Sequence, residues 1–249
     1  MPPFHDHFST GSAAYAAHRP RYPEALYQFI ASLAPAHTCC WDVGTGSGQA
    51  AVALANHFDR VIATDASENQ IASAQPSERV EYRVALAEDS GLDAHIADAI
   101  TVAQAMHWFN LARFAHEASR VARPGTPLVA WTYDVPRVSA DIDPIIDEFH
   151  NITVGDYWPK QRHDPLERYV NIHFPFPQIS APEFQMRSEW TLDAFLAFVR
   201  TWSAVKRCIE ANGADPVIDF AAALRPRWGD PSSPRPVTAV LTVKAWRIE

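Results

Sequence analysis

Three alternate glycines, Gly44, Gly46 and Gly48, stand between an apolar run ending in Trp41-Asp42-Val43 and a helical pattern that begins near Gln49. Glycine at these places lets the backbone turn tightly and approach a ligand with no Cβ in the way. The helix that follows offers unpaired N–H groups. A dinucleotide fingerprint requires Gly or Ala three residues after its second glycine, and here that place is Gln49. Asp42 lies two residues before the first glycine, where a carboxylate repels a pyrophosphate and attracts an amino group such as the α-ammonium of a methionine moiety. About twenty residues on, Arg60-Val61-Ile62-Ala63-Thr64-Asp65 reads as a second apolar strand ending in an acid, placed to accept hydrogen bonds from both ribose hydroxyls. The ligand reads as a nucleoside that carries an amino acid.

With these residues in place, the chain resembles the class I S-adenosylmethionine-dependent methyltransferases, and further segments match in order. Asp65-Ala66-Ser67-Glu68-Asn69-Gln70 resembles the segment after the ribose acid, with Ser67 and Gln70 as a capping box for the next helix. Ala87-Glu88-Asp89 resembles the loop that meets adenine. Asp98 to Phe109 resembles the fourth strand, whose end faces the methyl group, and Glu117 to Gly125 resembles the helix and turn before strand five. Phe8, Tyr15, the run Arg19-Pro20-Arg21-Tyr22-Pro23 and the segment Gln104-Ala105-Met106-His107-Trp108-Phe109 are similar to the trans-aconitate methyltransferase-like group, which acts on small molecules. One departure is Pro124-Gly125-Thr126-Pro127, where relatives carry a second glycine. The resemblance implies S-adenosylmethionine as cofactor, held by Asp42, Gly44, Gly46, Gly48, Asp65, Ala66, Ala87, Glu88, Gln104 and Arg19, with Asp89 an alternative to Glu88. It also implies a small-molecule acceptor, with a carboxylate oxygen favoured.

Methyl transfer from a sulfonium is an in-line displacement, so the first requirement is a nucleophile's lone pair aimed along the methyl–sulfur bond. Aligning two bound reactants supplies roughly 7–11 kcal/mol of the barrier, more than a typical general base. A carboxylate acceptor is ionised near neutral pH and needs no base, whereas a phenol or alcohol does. His107 is the candidate catalytic residue, as a base or as a donor that orients the acceptor, because imidazole titrates near neutrality; the alternative is that it only shapes the pocket wall. Trp108, Tyr15 and Tyr157 are the candidate substrate contacts. Arg19, Arg162 and Arg168 are the cations able to fork onto a carboxylate.

The elements that position these residues alternate. Pro23 opens a helix whose Leu26, Phe29, Ile30 and Leu33 share a face. Strands are expected near 39–43, 60–64, 79–86, 98–105 and 126–133, with helices over 48–57, 67–74 and 110–122. Such alternation gives an α/β fold: a Rossmann-like, doubly wound, seven-stranded, mostly parallel sheet whose last strand, 237–247, is antiparallel. Every motif above ends a strand, where ligands collect in such sheets. Residues 1–22 form either a lid over the cofactor or a docked segment. Residues 134–181, rich in Pro, aromatics and His, read as a substrate-side insertion after strand five. A short strand and then a helix over 190–202 follow, and 225–236 reads as a loop.

With 47% hydrophobic residues the chain buries one substantial core, so 1–249 reads as a single domain. A net charge of −8 disfavours nucleic acid as a partner. No stretch has the length and apolarity of a membrane span, and the first residues lack a signal peptide's pattern, so the expected location is cytoplasmic with no membrane partner. Cys39, Cys40 and Cys208 lack zinc-ligand spacing, and neither a disulfide framework nor a metal site is expected. Two rival functions are an NAD(P)-dependent oxidoreductase, opposed by Asp42 and Gln49, and a regulatory protein that binds the cofactor without turnover.

Overall fold

The computed structural model describes residues 21–159, 169 and 171–249. Tyr15, Arg19, Arg162 and Arg168 lie outside them. Five parallel strands form the centre: β1 (Cys39–Val43), β2 (Arg60–Asp65), β3 (Val80–Val84), β4 (Ala99–Ala103) and β5 (Thr126–Tyr133). Then come β6 (Gln178–Ile179), β7 (Phe184–Trp190) and β8 (Arg235–Ile248), all joined in antiparallel fashion. The spatial order is β3-β2-β1-β4-β5-β8-β6, with β7 also paired to β8. From β1 the chain builds outward to β3, then returns to place β4 on the other side of β1. The sheet therefore reverses between β1 and β4, and the crevice outside their carboxyl ends is where such sheets hold ligands.

The sheet has eight strands where seven are expected, and the extra one has a local cause. β6 and β7 share the edge of β8 opposite β5, and the segment between them contains Pro182. Proline has no N–H to give to the ladder, so what reads as one strand position is split in two.

Both faces of the sheet are covered, as the fully buried β1 requires. One face meets α1 (Glu24–Leu33) and α2 (Gln49–Leu54) through Leu26, Ile30, Ala51, Leu54, Val129 and Trp131. Tyr22, just before α1, is docked edge-on against Trp131 with ring centroids 5.4 Å apart. The other face meets α4 (Leu111–Val121), and Tyr169, Ile172 and Phe174 of the insertion pack there against Phe114 and Trp246. Between these lies the short α3 (Glu68–Ala72) after β2.

A third apolar cluster is built mainly from helices and meets the sheet at Val237 of β8. α5 (Asp143–Glu148) runs on through a wide turn over Phe149–Thr153 and meets α6 (Leu192–Arg200), α7 (Ser203–Asn212) and α8 (Val217–Trp228). The expected loop over 225–236 is therefore helical as far as Trp228. Trp228 and Leu224 are buried in this cluster, and that burial outweighs the local preference of Arg225-Pro226-Arg227 to leave the helix. Gly229 ends the helix at a positive φ of 80°. Among the described residues no helix is long and apolar enough to cross a membrane.

Two buried acids fix the frame by accepting backbone N–H groups. Asp98 takes those of Thr38 and Cys39 at 2.8 and 2.9 Å and pairs with Arg123 at 2.6 Å, so the starts of β1 and β4 are locked together. Glu117 of α4 accepts the N–H of Ser90 at 2.9 Å as well as its hydroxyl, and its other contacts are to Arg120. The Arg120 guanidinium foremost, with Ser90, holds the Glu117 carboxyl down at about 2. A carboxylate with its pKa depressed on folding stabilises the fold above its ordinary range and loses that effect as pH falls toward 2. Glu117→Ala leaves the Ser90 N–H buried without a partner and frees Arg120. The expected loss is about 2–3 kcal/mol in chemical denaturation at pH 7, with faster amide exchange at Ser90 and Leu92. An unchanged denaturation midpoint at pH 7 would show that the clamp does not hold this loop.

Candidate active site

The glycine turn is held by acids on both sides. Asp42, the fourth residue of β1, is fully buried and pairs in register with Ala63 of β2 and Thr101 of β4. Its carboxylate accepts the hydroxyls of Thr45 at 2.6 Å and Thr101 at 2.7 Å. Asp65, which ends β2, accepts the N–H of Gly46 at 2.8 Å and that of Ser67 at 2.9 Å, one on each oxygen. Asp65 thus braces the glycine turn and the start of the next helix from the carboxyl end of β2. The capping box is half formed. Ser67 accepts from the N–H of Gln70, while the N–H of Ser67 itself goes to Asp65.

Gly44 and Gly48 are required by close approach. A Cβ on Gly44 would stand 2.5 Å from that of Ala105, which ties the turn to the end of β4, and one on Gly48 would collide with the ring and hydroxyl of Tyr82. Both lie at positive φ, 65° and 83°. At Gly46 the nearest atom a Cβ would meet is Gln70 Oε1 at 3.7 Å, so the turn opens there. An open cradle of backbone at Gly46, flanked by carboxylates on both neighbouring strands, fits a nucleoside with a cationic amino-acid tail. It does not fit a pyrophosphate.

Tyr27 and Tyr82 share this environment. Burial foremost, and then the negative Asp42, raises the phenol of Tyr27 well above its ordinary value and that of Tyr82 to about 12. Both therefore remain protonated at neutral pH. Tyr82 donates to the carbonyl of Gln75 at 2.7 Å.

The other half of the site is the turn after β4. Gln104 lies at φ +58°, a left-handed conformation that costs a non-glycine residue about 1 kcal/mol or more and persists only where its surroundings impose it. They do so through three contacts. The N–H of Gln104 goes to the carbonyl of Trp131 at 2.9 Å, its Oε1 accepts from Thr132 at 3.0 Å, and the N–H of Met106 goes to the Tyr169 hydroxyl at 3.2 Å. His107 and Trp108 follow in a single tight turn, half-buried, with ring centroids 4.9 Å apart.

The glycine turn, Asp42, Asp65, Ala66 and the Gln104–Trp108 segment are thus brought to one end of the sheet. Ala87 is buried at the neighbouring loop, where Glu88 is half-buried and Asp89 exposed. Glu88 accepts the N–H of Asn110 at 2.6 Å with one oxygen, which sets it beside the end of the His107 turn. Tyr157 stands apart. Its hydroxyl accepts from Asn212 at 2.7 Å and its ring packs on the α5–α8 cluster, so the structure gives this expected substrate contact a packing role. Sequence reasoning missed Thr45, Thr101, Thr132, Tyr27 and Tyr169. Thr101 left a signal, since a hydroxyl inside the buried run Ala-Ile-Thr-Val-Ala needs a partner. Tyr169 left none. Among the described residues no cluster of His, Cys, Asp or Glu is arranged to hold a metal.

A doubly wound sheet with an acid-flanked glycine turn at its reversal defines a nucleoside-binding α/β protein, and its relatives define the chemistry. Residues 41–130 match the model of the methyltransferase domain family. A Dictyostelium discoideum protein named "Putative methyltransferase" is 34% identical over 216 residues, 85% of this chain and 82% of its own. A Saccharomyces cerevisiae protein named "Probable S-adenosylmethionine-dependent methyltransferase" is 24% identical over 244 residues, 83% of this chain and 84% of its own. A solved structure from Anaeromyxobacter dehalogenans, described as a "Putative Type II Methyltransferase", superposes with a TM-score of 0.86 at 43% identity, covering 92% of this chain and 98% of that one. The chain belongs to the class I S-adenosylmethionine-dependent methyltransferases, and S-adenosylmethionine is its cofactor. The nicotinamide alternative has no support among these relatives.

Burial pushes the Asp42 carboxyl up to about 6, against the opposing effect of the two threonine hydroxyls. A carboxyl with its pKa raised on folding contributes most below its ordinary value of 3.8, and that contribution is lost as pH rises through 6. Between pH 4 and 6.5 the cofactor-free protein should therefore lose up to about 3 kcal/mol relative to Asp42→Asn. Urea denaturation of both proteins across that range measures the difference in slope. Parallel curves would mean that Asp42 is ionised throughout.

Proposed function

We propose that the protein transfers the methyl group of S-adenosylmethionine to a carboxylate oxygen of a small molecule, in the manner of the trans-aconitate methyltransferase-like group that its sequence resembles. The observation that most supports this reading is the enclosure of the β4 turn. Tyr169 is bonded to Met106, while Ile172 and Phe174 pack on the same face of the sheet. An acceptor side closed by aromatic and apolar groups suits a molecule small enough to be surrounded. The net charge of −8 argues against a nucleic-acid acceptor. A cytoplasmic location belongs to the same proposal.

When bound, S-adenosylmethionine supplies a methyl group on a positively charged sulfur. The chain's own residues do the rest. Asp42 provides negative charge for the α-ammonium, and Asp65, the acid that ends β2, is the acceptor for the ribose hydroxyls. Glu88 meets the adenine amine with the oxygen not used by Asn110. Ala66 and Ala87 flank the nucleoside, and Gly44, Gly46 and Gly48 let the backbone come close. Arg19 and Tyr15 are assigned to the cofactor carboxylate and the acceptor on sequence resemblance alone. Trp108 forms a wall.

With a carboxylate acceptor the balance is simple. One carboxylate oxygen forms a bond to the methyl carbon as the carbon–sulfur bond breaks, and that bonding pair stays on sulfur. No proton moves, so His107 acts as a donor that orients the acceptor and not as a base.

Incubation with methyl-labelled S-adenosylmethionine and the small-molecule fraction of a cell extract tests the acceptor class. Methyl esters release labelled methanol in mild alkali, whereas ethers and N-methyl products do not; alkali-stable label alone would reject the carboxylate. In the same assay His107→Ala should lower turnover roughly 10- to 100-fold, the worth of a hydrogen bond to a charged group. Its affinity for S-adenosylhomocysteine in calorimetry should stay within about twofold. A parallel loss of both would place His107 in the fold or the cofactor site instead.

A further inference from the structure

We infer that Gln104 is a substrate-positioning residue, whose side-chain amide donates to an oxygen of the methyl acceptor. The inference rests on the reading above that the acceptor presents a carboxylate, and it differs from the cofactor role that sequence resemblance gives this residue.

The amide has two ends with different fates. Oε1 is anchored by the Thr132 hydroxyl at 3.0 Å, while Nε2 is buried and has no hydrogen-bond partner among the described residues. A buried amide donor left unpaired costs about 1–3 kcal/mol, and native proteins rarely retain one without cause. The backbone beneath it is also held in the left-handed region, at φ +58°, although glutamine has a Cβ. Two unfavourable features at one residue, both imposed by anchors on β5, mark a group fixed in advance for a ligand. What is missing is an acceptor, so the ligand atom is an oxygen with free lone pairs.

The side on which the amide lies points to the source of that oxygen. Asp42 and Thr101 belong to the sheet face covered by α1 and α2, as alternation from Cys40, Ala99 and Val129 requires. Thr132, which anchors the amide, alternates with Trp131 and so belongs to the opposite face, with Leu128 and Ala130. That face is the one on which Met106, Tyr169 and Ile172 pack. Gln104 therefore turns toward the insertion and away from the acids assigned to the cofactor. An oxygen held by Nε2 leaves the second oxygen of the same carboxylate free to attack the methyl carbon, with the bond changes given above.

Three variants of the full chain test this. Gln104→Met removes the donor at nearly constant size, Gln104→Glu replaces it with an anion that repels a carboxylate, and Thr132→Val only releases the anchor. The probes are S-adenosylhomocysteine and methylthioadenosine, which lacks the amino-acid carboxylate, in calorimetry, and the labelled-donor assay on the extract fraction. The expected result is S-adenosylhomocysteine affinity within twofold of wild type for all three. The extract concentration for half-maximal labelling should rise about 10-fold for Gln104→Met, further for Gln104→Glu and about threefold for Thr132→Val.

A 10-fold loss of S-adenosylhomocysteine affinity with methylthioadenosine binding intact would overturn the inference, because the amide would then hold the cofactor's own carboxylate. Unchanged half-saturation in both Gln104 variants would overturn it too. Failure of the carboxylate reading is seen separately, as alkali-stable label in the wild-type reaction. Gln104→Glu should then lose its excess effect over Gln104→Met.

Discussion

The site depends on a carboxylate buried where the sheet reverses. Asp42 accepts one hydroxyl from its own glycine turn and one from β4, so it joins the two strands that border the crevice. A charge with no exposure is costly unless paired or neutralised, and among the described residues neither an arginine nor a lysine is bonded to it. The fold accepts an unfavourable carboxylate at one point, and a bound ammonium would relieve it. Geometry at that point is consequently over-determined: Gly44 is pressed against Ala105, and Gly48 against Tyr82.

The same device recurs across the fold. Asp65 and Glu88 each accept a backbone N–H beside the crevice, Glu117 accepts one from the loop after β3, and Asp98 accepts two at the opposite end of the sheet. Loops cannot satisfy their own N–H groups, and acids supply acceptors without adding donors that need partners in turn. Part of the chain's negative charge thus serves loop geometry. A carboxylate can accept on both oxygens at once, as Asp65 does from Gly46 and Ser67.

Much of the framework was legible because its signals are local. The glycine spacing, the acid before it and the acid ending β2 are fixed by backbone sterics and strand period, and alternation of apolar runs placed the parallel strands within a residue or two. The rest depends on contacts between distant parts of the chain. Nothing local marks Tyr169 as the partner of Met106, sixty-three positions away. The helix through Pro226 forms because Trp228 has a cluster to enter, and the division of the strand position at Pro182 appears only once β8 is known to outrun β5. The place of Tyr157 was illegible for a similar reason. An aromatic in an insertion after strand five reads equally well as a pocket wall or as core, and here it lies at the margin of the helical cluster with its hydroxyl bonded to Asn212.

These two kinds of legibility follow the two tasks of the protein. The cofactor half is built from neighbours in sequence and from strands in a fixed register, so its residues are constrained by spacing. The acceptor half we propose draws on the end of β4, an anchor on β5 and Tyr169, Ile172 and Phe174, which meet only after the sheet has formed. A change in the insertion alters what surrounds the Gln104–Trp108 turn without disturbing Asp42, Gly46 or Asp65, because the turn itself is held from beneath by Trp131 and Thr132. Substrate choice can therefore vary on a constant methyl-donor site. For the same reason a motif read from sequence identifies the donor well before it identifies the acceptor.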